Sequence, residues 1–417
     1  MNAKTFFLST LYLLLTTSLV QGAAIKQIYE VSLPVVSQQK HVRSAAYEQG
    51  LIEVSMRVSG SSLAPTQLDL TQAGRMISQY RYSAMSGQEI SAYMKQSASA
   101  VRPRYKLWMK FDEAKLRQLL REKSLPIWGY QRPNVLVWLA VKDGRNRYIL
   151  KKADSSQIKD AVEKEAHKRG LPVIWPDYDI EDKKQLSFID IWGAFWEPIK
   201  QVSQRYSVDA ILLGKMSWSN ARWEVSWSLQ LGDKNENWQL SALDMGMITS
   251  SGIGVATDHI SSRFAVFENG AKEGELLLRV SDLSGVKGYA EASHYLASLA
   301  PVKSLYAKEV NPSRVDFYIE LNGDENDLKR IIALGKVLVP DNRIESVVVP
   351  EVQSRVVNEP ISTLAGTSTS GVVAAPLTNS PAHPGPDAGP VSIPPPDILP
   401  VEQKPPSAYV LRYRMNG

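Results

Sequence analysis

Residues 222–231 carry the most regular pattern in the chain. Trp223, Val225, Trp227, Leu229 and Leu231 alternate there with Arg222, Glu224, Ser226, Ser228 and Gln230. Only a period of two puts all five apolar groups on one face, so this is a strand with one buried side. Residues 238–247 read as its partner. Residues 134–141 and 210–218 are apolar without alternation, the pattern of strands covered on both faces. Between them, residues 155–169 show helical spacing and stop at Gly170, and residues 171–175 form a short strand. Residues 189–206 read as one helix bent at Pro198. Gly252 and Gly254 lead into another helix, ending near Phe267.

On the N-terminal side, Ile28, Val31, Leu33 and Val35 predict an opening strand. A helix follows through Val42, Ala45, Ala46, Ile52 and Met56, ended by Ser59-Gly60. Residues 67–79 predict a second helix. Residues 80–83 and 105–111 predict strands, separated by a polar stretch over 86–99. Asp112 caps a third helix over 113–123. On the C-terminal side the order is strand 275–280, helix 288–299, strands 302–310 and 314–321, helix 324–334. That order lacks one strand of a ferredoxin-like unit. Either residues 409–415, which alternate apolar with basic, return to supply it, or residues 343–349 do. Between them, residues 351–407 hold twelve of the 24 prolines and keep no apolar period, the composition of a disordered linker.

These patterns define an α+β, multidomain chain of mixed sheets covered by helices. Its expected parts are a signal peptide (1–22), an N-terminal α/β domain (23–125) and a Trp-rich mixed-sheet domain (126–273). A ferredoxin-like domain (274–349), a proline-rich disordered linker (350–407) and a C-terminal strand (408–417) complete it. The leader assignment rests on Lys4, the apolar run 6–20 and the small residues Gly22, Ala23 and Ala24, with cleavage before Ala23 or after Ala24. The run is shorter than the roughly 20 residues of a membrane span. Export to the periplasm of a Gram-negative bacterium follows as an expectation, with no transmembrane segment after cleavage.

The chain contains no cysteine, which excludes disulfides, thiolate metal centres and cysteine nucleophiles. Its net charge of +5 is spread among interspersed acids and bases. That balance gives mild attraction to anionic surfaces such as phospholipid headgroups or cell-wall polymer, and it does not point to nucleic acid. The five histidines are scattered, so no metal site and no cofactor is expected. Gly252-Ile253-Gly254 begins like a dinucleotide fingerprint but lacks the third glycine and the distal acid.

Two features could carry function. Asp177, Asp179, Glu181 and Asp182 crowd one loop after Trp175-Pro176. Close carboxylates can shift each other's pKa for acid–base work or bind a hard cation. Capping of backbone amides and pairing with nearby bases is the simpler reading. All ten tryptophans lie between Trp108 and Trp238. Most share faces with aliphatic residues and read as core, whereas Trp128 and Trp218, beside turns, are expected at the surface, where indoles stack on ligands.

The chain resembles an exported proteobacterial family called domain of unknown function 2066. The resemblance is carried by Tyr29-Glu30-Val31, Arg57-Val58-Ser59-Gly60, Gln79-Tyr80-Arg81-Tyr82, Pro126-Ile127-Trp128-Gly129, Arg132-Pro133, Arg169-Gly170-Leu171-Pro172, Asp190-Ile191-Trp192-Gly193 and residues 209–214. It implies no assigned activity. The element order around Arg205-Tyr206 and residues 209–214 is also similar to the N-terminal domain of TolB and to outer-membrane lipoprotein regulators, which are binding and assembly modules. The functional expectation is a periplasmic, non-enzymatic binding or scaffold protein that meets an envelope protein or cell-wall polymer. The alternatives are a cell-wall or carbohydrate-acting enzyme using Asp179, Glu181 and Asp182, and a binder of a small ligand or lipid.

Overall fold

The computed structural model describes residues 27–96, 101–268, 273–343 and 410–416. The expected leader and proline-rich linker lie outside those residues. The fold is α+β, built on three sheets. The first body contains β1 (Glu30–Val35), α1 (Lys40–Ser59), the single turn α2 (Ala73–Met76), β2 (Ile77–Ala84), α3 (Gly87–Gln96), β3 (Tyr105–Phe111) and α4 (Glu113–Glu122). Its sheet is antiparallel, in the order β1-β3-β2. Alternation puts Leu107, Met109 and Phe111 of the central strand on one face, where they join Val31 and α1's Leu51, Val54 and Val58 in one core. Helix α1 stops at Gly60, whose φ of 74° is a left-handed value that glycine adopts without strain.

Two expectations fail in this body. The helix over 67–79 is instead two 3-10 turns (Ala64–Gln67 and Leu70–Gln72), then α2, then β2. The Asp69 carboxylate accepts from the Thr71 amide and draws the chain into the tighter turn. The polar stretch after β2 contains α3. Its start is fixed by a reciprocal cap, with Ser86 N donating to Glu89 Oε2 and Glu89 N donating to Ser86 Oγ.

The second body runs β4 (Val135–Asp143), β5 (Asn146–Ile149), α5 (Gln157–Arg169), β6 (Val173–Ile174), α6 (Ile180–Gln185), α7 (Phe188–Gly193), α8 (Trp196–Ser203), β7 (Ala210–Ser219), β8 (Arg222–Leu231), β9 (Lys234–Ala242) and α9 (Met245–Phe264). Strand order is β5-β4-β7-β8-β9, with β4 parallel to β7 and to the short β6. The unbroken apolar run of β4 has two destinations. Val135, Val137, Leu139 and Val141 pack with residues of α5 and α9, while Leu136, Trp138 and Ala140 pack with residues of α7 and α8.

The helix expected over 189–206 is broken at Ala194, which takes a left-handed φ of 53°. Pro198 does not bend it. It lies in the first turn of α8, where a missing N–H loses no helical bond. Helix α9 begins at Met245, so Gly252 and Gly254 lie inside it rather than before it. A Cβ on Gly252 would come within 2.1 Å of Trp227 Nε1, and one on Gly214 within 2.6 Å of the same indole. The two glycines make a slot for Trp227 between sheet and helix, which accounts for the glycine that began like a nucleotide motif.

The third body contains β10 (Glu273–Ser281), α10 (Gly285–Ala297), β11 (Val302–Asn311), β12 (Arg314–Asn322), α11 (Glu325–Gly335), β13 (Leu338–Pro340) and β14 (Val410–Met415). Strand order is β11-β12-β10-β14-β13. The returning strand β14 pairs parallel to β10, from Leu277↔Val410 to Ser281↔Arg414, and antiparallel to β13. Leu411 and Tyr413 are buried while Arg412 and Arg414 stay exposed, as the alternation requires. The ferredoxin-like order therefore acquires a strand inserted between β10 and β13, giving five strands. Residues 344–349, the alternative donor, lie outside the described residues. Among the described residues no helix is long and apolar enough to cross a membrane.

Candidate binding site

The acidic loop folds into a cap. Asp179 is the N-cap of α6, and its carboxylate accepts from the amides of Glu181 and Asp182. Arg205 holds the same carboxylate from the far side, with Nη1 and Nη2 at 2.9 and 3.0 Å. Asp182 is fully buried. Its two oxygens accept from Arg205 Nη1 and from the Tyr206 hydroxyl. Glu181 is exposed, 3.5 Å from Arg205. The Arg205 guanidinium, then the two amides, hold the Asp179 carboxyl well below the usual carboxylate range. Burial, then the bond to Asp182, raises the Tyr206 hydroxyl. The Asp179 and Asp182 carboxylates are thus directed at protein donors, while Glu181 remains at the surface.

That arrangement predicts a pH signature. A carboxylate whose folded pKa is depressed contributes stability above its unfolded pKa and loses it as pH falls through the folded value. The α6 cap should hold at neutral pH and loosen only in acid, below the ordinary Asp range. Asp179→Asn should remove that acid step from the pH dependence of unfolding while leaving the neutral-pH fold in place. An acid limb identical in the variant counts against the cap.

Of the two tryptophans expected at the surface, Trp218 is there, 44% exposed and packed edge-on against Trp223 with ring centroids 5.4 Å apart. Trp128 is not. It is completely buried, under the Arg132 guanidinium at 4.0 Å, and cannot stack on a ligand. The reason is a knot of three buried arginines. Arg132 is fully enclosed and donates five hydrogen bonds, all to carbonyl oxygens, those of Gly129, Arg169, Gly170, Arg57 and Trp128. Arg57 donates to the carbonyls of Lys168, Glu30 and Gln27. Arg169 donates to Gly60 O and to Asp258. The C-terminal ends of α1 and α5 supply most of these carbonyls, and a helix C-terminus carries partial negative charge. Burial, then the neighbouring charges of Arg57 and Arg169, lower the Arg132 pKa to about 9.

Sequence reasoning missed this knot. Its signal was present as scattered short stretches, Arg57 to Gly60, Trp128-Gly129, Arg132 and Arg169-Gly170, which meet in one place.

A recess lies beside the knot, along the outer edge of β1. It measures about 860 Å³ and is walled by Ala45 and Glu53 of α1, by Lys164 and His167 of α5, and by Tyr93 and Trp108. A second recess of about 370 Å³ continues from it and shares Gln27, Glu30, Arg57 and His167. His167 is exposed at the mouth; desolvation of the ring, then the Arg57 charge, lowers its pKa. Among the described residues, strand β1 pairs with β3 on one side only. The Tyr29 carbonyl accepts from Phe111 N on that side, while the Glu30 carbonyl points away and is taken by Arg57. In an antiparallel ladder backbone groups alternate sides, so the N–H and C=O of the exposed Ser32 and the C=O of Pro34 face the recess.

A family profile described as a domain of unknown function (DUF8605) matches residues 23–129, which include this edge. That is a different family from the one the sequence resembles, and it covers about a quarter of the chain. No curated protein matches. Among solved structures, a ribosomal subunit interface protein from Coxiella burnetii is 11% identical over 31% of this chain and 94% of its own, at a TM-score of 0.16.

Proposed function

We propose that the chain is a periplasmic, non-enzymatic binding or scaffold protein, and that it takes an extended segment of an envelope protein along the outer edge of β1. The observation that carries this is the backbone of Ser32 and Pro34, unpaired among the described residues, facing a recess of about 860 Å³. Addition of a strand to an open sheet edge uses main-chain hydrogen bonds for affinity and the neighbouring pockets for selectivity. Pro34 lacks an N–H, which limits pairing to a short register and protects the edge from indiscriminate association. The acidic loop supports the same reading, because its carboxylates cap α6 and pair with Arg205 instead of opposing each other across a cleft. The periplasmic part rests on the apolar run 6–20 and the small residues after it.

The test is a photo-crosslinking residue at position 32 in living cells. A discrete adduct is expected, and it should disappear when a bulky side chain replaces Ala45 or Gln49, both of which line the recess. A position 32 that yields no adduct, or an adduct indifferent to both changes, overturns the reading. So does turnover of a glycan by the purified protein that Asp179→Asn or Asp182→Asn abolishes.

A further inference from the structure

At one end of the six-stranded sheet, apolar side chains project into solvent beside unpaired cations. The hairpin between β7 and β8 turns at Asn220-Ala221, both at left-handed φ, which places Trp218 and Trp223 opposite each other at its tip. Strand β9 ends beside them, with Ala242 paired to Trp223. Leu243 follows, 76% exposed, and Met247 in the first turn of α9 is 64% exposed. The β4–β5 hairpin reaches the same end, because Lys142 pairs with Ser217. Lys142, Arg145, Arg147 and Arg222 are all exposed there, and none of them makes an ion pair among the described residues, Arg222 donating only to Ser241 Oγ. Four carboxylates share this end, against the four cations and the Lys95 and Lys164 that line the adjoining recess: Glu224 lies opposite Ser217, and Asp160 lines that recess. Asp143 is exposed, and Asp244 is occupied as the N-cap of α9.

Helix α5 also starts at this end. Its Gln157, Asp160 and Ala161 line a recess of about 420 Å³ together with Met245 and Met247. Two helix N-termini, each with a partial positive charge, therefore point the same way as the four cations. Exposed Trp, Leu and Met ringed by Lys and Arg is the composition of a surface that lies in the headgroup region of an anionic bilayer. The indole settles at the polar boundary, the aliphatic groups enter the acyl region, and the cations meet phosphate.

We propose that this end of the second body is a peripheral docking surface for anionic phospholipid membranes. It is separate from the edge of β1 and does not depend on the function proposed for that edge. The excess of cations over free carboxylates at the tip selects an anionic lipid surface over a neutral one. The exposed Leu243 and Met247 make attachment partly apolar, so salt weakens it without abolishing it.

The experiment uses the full chain. Because the protein has no cysteine, Leu243→Cys gives a single site for a polarity-sensitive dye. With vesicles of phosphatidylglycerol and phosphatidylethanolamine in equal parts, the dye emission should shift to the blue and the protein should co-sediment. With phosphatidylcholine vesicles both signals should be far weaker. Each basic side chain near an anionic surface contributes about fivefold in partitioning, so Arg145→Ala with Arg222→Ala should reduce binding about thirtyfold at low salt. Leu243→Ser with Met247→Ser, both at exposed positions that leave the core untouched, should weaken binding that persists at high salt. Binding indifferent to vesicle charge, binding unchanged in both double variants, or no binding to either vesicle overturns the proposal. None of these outcomes alters the crosslinking expected at position 32.

Discussion

Arg132→Met should lower the stability of the protein by about 4 kcal/mol, among the largest effects of any single change. Methionine fills much of the same volume and removes the buried charge, so desolvation alone would favour it. What it cannot do is donate. The carbonyls of Gly129, Arg169, Gly170, Arg57 and Trp128 would then lose their shared donor at a fully buried position. An unsatisfied buried acceptor costs about 1–3 kcal/mol, and partial relaxation keeps the total below the sum. Chemical denaturation of Arg132→Met beside Lys164→Ala, an exposed control on α5, reads the difference. A loss under about 1 kcal/mol would mean that water replaces the guanidinium and that the knot is ornamental.

A chain ending before Val410 should lose the cooperative stability of the third body. Strand β14 lies inside the sheet, so its removal strips hydrogen bonds from both β10 and β13. Leu411 and Tyr413 leave the core, and their burial alone contributes roughly 3–6 kcal/mol. Hydrogen exchange should show β10 amides opening in the truncated chain while β4 and β7 stay protected. Leu411→Ala should reproduce part of the effect, about 2–3 kcal/mol. A truncated protein that melts as the full chain does would leave β14 without a structural role.

How much of this was legible in the sequence depends on whether the deciding interaction is local. The face of β8 was readable because Val225, Trp227 and Leu229 repeat every two residues, and β4 because both its faces are apolar. The return of β14 was readable from the alternation of Leu411 and Tyr413 with Arg412 and Arg414. Its parallel direction was not, since alternation is the same in either sense. The broken helix at Ala194 left no mark, because a left-handed alanine is imposed by packing on both sides. The reading of the acidic loop as a cap needed only Asp179 two positions before Glu181. Its partners Arg205 and Tyr206, about twenty-five residues away, needed the fold. The arginine knot was least legible of all. Its acceptors are carbonyls, which every residue possesses, so no residue type announces them. The burial of Trp128 follows from that knot, which is why the expectation of an exposed indole failed.

The insertion of β14 between β10 and β13 also bears on how the protein comes to be folded. Leu277 must wait for Val410, 133 positions later, before its strand has a neighbour on that side. During synthesis the third sheet stands open with a raw edge on β10 until the last strand arrives. Contacts so distant along the chain slow the final closure and prolong exposure of that edge to other molecules.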